Sequence, residues 1–125
     1  MPVSVVREED VRWLSSPALP GIELKVLAGD SDSKARSTLA RWAPGATFPP
    51  HAHPSLEQIY TLEGECEYDG QVYGPGSSFV FPAGGEHGPC KVGNQGWLTL
   101  ITFSGLSGFE AVPDLREHLE PLGLV

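Results

Sequence analysis

Glycine and proline punctuate this chain from end to end. Its 15 glycines and 12 prolines, 27 of 125 residues, separate short apolar runs instead of gathering in one linker. That is the punctuation of many short strands joined by turns. The runs that alternate or cluster apolar residues fall at 22–28, 37–43, 58–62, 66–68, 71–73, 77–81 and 97–103, the spacing of a sandwich or a small closed or nearly closed barrel. Asp69-Gly70 lies between two of them, and both residue types tolerate positive φ, so a two-residue hairpin is expected there. A single helix is expected near the C-terminus. Pro113 suits a first turn and Asp114 the positive end, Leu115 and Leu119 lie four apart, and Pro121 and Gly123 stop it. In the mixed opening stretch to Pro20, Trp13 and Leu14 are the residues expected to pack on the main body.

Charge narrows the partners. Eight Lys and Arg face 16 Asp and Glu, a net charge of −8 that argues against nucleic acid or an anionic membrane surface. No stretch approaches the roughly 18 consecutive apolar residues of a membrane span. Residues 1–10 have neither a basic start with an apolar run nor a cleavage-like site, so a cytoplasmic protein is expected. In that compartment Cys66 and Cys90 read as two reduced thiols.

The chemistry concentrates in histidine. Of the four, at positions 51, 53, 87 and 118, the first three fall in segments that a barrel can bring together. In His51-Ala52-His53 the two imidazoles stand two residues apart, on one face of an extended strand, and can share one metal ion. Glu57 restores the same parity if Pro54-Ser55 forms a local bend. Imidazoles with one carboxylate suit a divalent transition metal with open positions for substrate or dioxygen. His118 lies among Arg116, Glu117 and Glu120 on the terminal helix and is expected at its exposed surface.

The frame around these residues is Gly45, five residues, His51, one, His53, three, Glu57, six, Gly64; then eleven residues; then Gly76, five, Pro82, one, Gly84, two, His87. It resembles the two-part signature of the cupin superfamily, except that Lys91 stands where many cupins have an asparagine, with Asn94 further on. The resemblance implies an all-β fold, a single β-barrel of the double-stranded β-helix or jelly-roll kind with a short C-terminal helix. It implies metal ligands at His51, His53, Glu57 and His87, with Gly64 and Gly76 at strand ends and the Pro82-Ala83-Gly84-Gly85 turn presenting His87. The whole of 1–125 then reads as one cupin domain, with 1–35 as N-terminal strands and arm, 36–104 as cupin core and 105–125 as a tail carrying the helix. Trp13, Pro20-Gly21, the run 24–27, Arg41-Trp42-Ala43-Pro44-Gly45 and Leu62-Glu63-Gly64 further resemble the small cupins grouped with the ChrR-type anti-sigma-factor domain, the acetylacetone-cleaving enzyme and dihydroxyacetophenone dioxygenase. A self-sufficient anti-sigma factor is disfavoured, because residues 1–50 contain no His or Cys for the zinc-binding region of a ChrR-type protein.

Three functions from different classes fit this reading. The first is an Fe(II)-dependent dioxygenase-like oxidoreductase acting on a small organic substrate, with Glu57 as both ligand and catalytic proton acceptor. The second is a non-catalytic metal-binding sensor or ligand-binding module. The third is a metal-dependent isomerase or lyase with Tyr60 or Tyr73 as acid/base. The ligand set also accepts Zn, Mn, Ni or Co. Parity with Glu57 puts Ile59 and Thr61 on the cavity side, with Tyr60 and Leu62 facing away. Phe79, Phe81, Trp97, Ile101 and Phe103 have the composition of barrel core or of an apolar substrate wall, and Arg41 either anchors an anionic substrate or pairs with an acid at the surface. Cys66 reads as an inward strand position and Cys90 as a small buried residue near the cavity. A twofold homodimer burying part of 11–28 is expected, with Trp13 as anchor and the alternating strand from Ile22 as edge.

Overall fold

The computed structural model describes residues 3–125; Met1 and Pro2, which open both the N-terminal arm and the segment read for a leader, lie outside the described residues. Eight strands form one antiparallel sheet: β1 Leu14–Ser15, β2 Ile22–Gly29, β3 Arg36–Trp42, β4 Thr47–Phe48, β5 Glu57–Tyr68, β6 Gln71–Tyr73, β7 Ser78–Phe81 and β8 Cys90–Phe103. They run in the order β1-β2-β3-β8-β5-β6, with β4 on β8 and β7 on β5. The ladder does not close on itself, so the expected barrel is an open jelly roll. Asp69 and Gly70 have φ of 51° and 78°, and they turn β5 into β6 as the tight hairpin they spell. The helix α1, Pro113–Leu119, forms as expected and buries Leu115 and Leu119.

Two expectations about strand ends are corrected. The runs 58–62 and 66–68 belong to one twelve-residue β5, and Gly64 marks a bulge inside it rather than an end. At φ +76° Gly64 passes so close to the Gly96 carbonyl of β8 that no Cβ fits between them. The bulge switches the buried set of β5 from Glu57, Ile59 and Thr61 to Cys66, which keeps both halves facing the interior. The strand expected at 97–103 extends back to Cys90, because the turn-like Gly93-Asn94-Gln95-Gly96 is carried as a second irregularity in β8. Strands β1 and β4 have two residues each, too few to show an alternation.

The interior is built from alternate residues of the long strands. Ile22, Ala40, Trp42, Ile59, Cys66, Val92, Trp97, Ile101 and Phe103 form the core cluster, with Leu24, Phe79, Phe81, Cys90 and Phe109 packed against it. Two indoles in this core have polar partners: Trp42 Nε1 donates to Thr99 Oγ1 and Trp97 Nε1 to Thr61 Oγ1, each at 2.9 Å. Ile59 and Thr61 therefore face inward, while Tyr60 and Leu62 are exposed on the outer face. On the far side of β2 and β3, Trp13 packs on the main body under Lys25 and Arg41, at 4.7 and 4.1 Å from its ring centre.

Candidate metal centre

The site is assembled by backbone before side chain. His51 and His87 exchange both main-chain hydrogen bonds, His51 N to His87 O at 2.9 Å and His87 N to His51 O at 2.8 Å, a single antiparallel bridge tying the two histidine segments together. The turn at Pro82–Gly85 adds a third tie, Gly84 N to the His53 carbonyl at 2.8 Å. Gly84 takes φ +74° to do so, which is why glycine stands there. Glu57 opens β5 between Phe81 of β7 and Phe103 of β8. The resulting ligand atoms of His51, His53, Glu57 and His87 all lie within 4.8 Å of one another.

Hydrogen bonds on the outer ring nitrogens decide which atoms are free. His51 Nδ1 donates to the Pro49 carbonyl at 2.9 Å and His53 Nδ1 to the Ser107 carbonyl at 2.7 Å. A carbonyl only accepts, so each neutral ring carries its proton on Nδ1 and keeps the Nε2 lone pair for the interior. Phe81 stacks on His87 with ring centres 3.8 Å apart and planes 16° apart, fixing its tilt. His87 Nε2 and His53 Nε2 approach Glu57 Oε1 to 3.1 and 3.5 Å. All three atoms are nevertheless buried without a hydrogen-bond partner, because the directions are wrong for one. Buried His53 Nε2, Glu57 Oε1 and His87 ring nitrogens converging without hydrogen-bond partners form a donor set that a cation satisfies, and N and O donors of this kind suit a divalent transition metal.

The electrostatics agree. Burial pushes the Glu57 carboxyl up to about 7. Burial, followed by the neighbouring His51 and His53, pulls His87 down to about 4. Burial likewise lowers His53, against the opposing pull of its Ser107 hydrogen bond. At neutral pH His53 and His87 are therefore uncharged donors, and a cation among them reverses the penalty on Glu57.

A second polar group sits behind His53. Arg36 Nη1 donates to Glu110 Oε1 and Arg36 Nη2 to Ser107 Oγ, both at 2.7 Å. Glu110 also accepts from the Ser107 and Gly108 amides at 2.9 and 2.7 Å. Burial raises the Glu110 carboxyl, but these amides and Arg36 outweigh it and hold it below the usual range. The ion pair thus clamps the tail that supplies His53 with its carbonyl, and Phe109 of the same tail packs edge-on to His53 at 5.3 Å. Sequence reading missed Arg36, Ser107, Phe109 and Glu110. Only Arg36 carried a signal, since it shares parity with Thr38, Ala40 and Trp42 and so points a charge into the core.

The enclosed cavity measures about 60 Å³ and is walled mainly by apolar residues, among them Ile59, Phe79, Phe81, Trp97, Ile101 and Phe103. These residues are core and cavity wall at once. Cys66 and Cys90 are free thiols on the same wall, and burial pushes them up to about 12 and about 11. Of the two readings of Arg41 the surface pair is the one found: it lies on the outer face, paired with Glu23 at 2.8 Å. Tyr60 faces solvent and the Tyr73 hydroxyl donates to Gln71, so neither tyrosine lines the cavity as an acid/base. His118 is on the exposed face of α1, as expected.

The match that decides the family is a model of the ChrR cupin-like domain, which covers residues 2–106. The chain belongs to the ChrR cupin-like family. No curated protein matches it in sequence. Among solved structures, this cupin resembles KdgF from Halomonas sp. with a TM-score of 0.64 and 24% identity, over 82% of this chain and 94% of that one. It resembles an acetylacetone dioxygenase from Acinetobacter johnsonii with a TM-score of 0.66 and 16% identity, over 84% and 74%. It also matches the complex of SigE with the anti-sigma ChrR from Rhodobacter sphaeroides, with a TM-score of 0.63, 25% identity and 78% of this chain covered, but it spans only 51% of that chain. Among the described residues no helix is long and apolar enough to cross a membrane.

Proposed function

We propose that this cupin is an Fe(II)-dependent dioxygenase-like oxidoreductase acting on a small organic substrate, with the metal held by His51, His53, Glu57 and His87. The observation that carries the reading is the convergence of buried, unpartnered His53 Nε2, Glu57 Oε1 and His87 Nε2 in an apolar cavity. Bound Fe(II) supplies the one-electron chemistry through which dioxygen reacts with a closed-shell compound. The protein does the rest. Pro49 and Ser107 fix two ring orientations, Phe81 fixes a third, and the aromatic wall keeps bulk water from the bound substrate. Glu57 helps hold the metal and accepts a proton from the substrate as it binds.

The ChrR-type family match favours one second reading, a metal-binding sensor or ligand-binding module without turnover. We further propose one domain spanning 1–125, a cytoplasmic location and a homodimer. The dimer would bury part of 11–28, where half-buried Trp13 sits under its own chain's Lys25 and Arg41. Exposed Tyr60, Leu62 and Val80 on the outer face of β5 and β7 offer further apolar surface.

Elemental analysis of protein purified without oxygen, followed by dioxygen uptake with small β-diketones or hydroxylated aryl ketones, separates the two functions. One equivalent of iron with substrate-dependent uptake is expected. Tightly held zinc with no uptake under any substrate would replace the oxygenase with the sensor.

A further inference from the structure

The cavity has a second polar pole. Arg36 and Thr38 stand two apart on the inward face of β3, side by side with Phe103 and Ile101 of β8, which in turn neighbour Glu57 and Ile59 of β5. Both are more than nine-tenths buried and both line the cavity that the histidines and Glu57 face. Two guanidinium nitrogens of Arg36 are committed to Glu110 and Ser107, but its Nε–H is buried without a partner. The same is true of Thr38 Oγ1. The two buried indoles of this interior have protein acceptors, whereas these two donors on the cavity wall have none, which points to an occupant that accepts from them.

We propose that Arg36 Nε–H and Thr38 Oγ1–H form a subsite for an oxygen acceptor, a carboxylate or carbonyl oxygen, on a small substrate whose carbon body lies against Ile59, Ile101 and Phe103. Arg36 is the only Lys or Arg on this wall among the described residues, and its charge is already balanced by Glu110. The subsite therefore recognises hydrogen-bond acceptors of either kind rather than net charge alone. A cavity of about 60 Å³ suits a small organic body. This assignment rests on the reading of the cavity as a substrate site and fixes the chemical class that enters it.

The test uses the full chain, metal-free and metal-loaded, with labelled isoleucine methyls, and titrates acetate as the carboxylate and acetone as the neutral carbonyl. Saturable shifts at Ile59 and Ile101 are expected with one probe or both, and which one responds identifies the acceptor. Thr38→Val keeps shape and removes the hydroxyl, so it weakens the probe about fivefold. In the unliganded protein it raises the melting temperature, because an unpartnered buried hydroxyl is gone. Arg36→Lys, which keeps the charge near Glu110, weakens the probe in the same direction. Absence of shifts with both probes, or a Thr38→Val protein that binds them within twofold of the wild type, overturns the subsite. Metal content and dioxygen uptake are read separately: their loss with the Thr38 effect intact would sink the oxygenase reading and leave the subsite standing.

Discussion

One interior holds two sets of buried polar side chains, treated in opposite ways. Between β3, β5 and β8, Trp42 meets Thr99 and Trp97 meets Thr61, and both of these indole N–H groups have an acceptor. At the other end of the same strands, Glu57 Oε1 and the Nε2 atoms of His53 and His87 are just as buried and have none. A partnered buried polar group fixes a fold, whereas an unpartnered one costs about 1–3 kcal/mol until something binds it. The difference separates the pairs that hold this fold together from the set proposed to hold a metal.

The largest contrast should come from His53→Ala. Removing one of few ligands is expected to lower metal affinity more than a hundredfold while the chain stays folded, since the apolar core and the tryptophan–threonine pairs are untouched. Isothermal titration with circular dichroism checks both halves, and an apo form unfolded at room temperature would make the metal structural instead. Thr99→Val should do the reverse. It strands the Trp42 indole, costs about 1–3 kcal/mol of stability in a denaturant melt and leaves metal stoichiometry at the wild-type value.

The smallest effect is the pH dependence of metal binding. The Glu57 carboxyl, raised to about 7, holds its proton below that pH in the metal-free fold, and the incoming ion must displace it. Affinity should therefore fall about tenfold per unit as pH drops below 7. His87, already near 4, adds nothing to that step. Titrations between pH 6 and 8 measure it, and Glu57→Gln should abolish the step at a lower overall affinity. A step that survives this substitution would assign the proton to another group.

Thr61 and Trp97 of the first set, and every member of the second, were legible in the sequence. Parity along β5 places Ile59 and Thr61 inside, parity groups His51, His53 and Glu57, and the cupin resemblance adds His87 to them. The hidden parts depend on register and on the tail. Gly64 looks like a strand end because a bulge and a turn both need positive φ, and only pairing with Gly96 tells them apart. Ser107 and Glu110 are ordinary loop residues until the tail folds back onto Arg36, a contact across 71 and 74 residues that no local pattern encodes.

Anomalous diffraction from anaerobically iron-loaded crystals shows whether the unpartnered set is one metal site. A single peak at the iron edge in contact with His51 Nε2, His53 Nε2, His87 and a Glu57 oxygen is expected. No peak, or a peak elsewhere on the molecule, would contradict it.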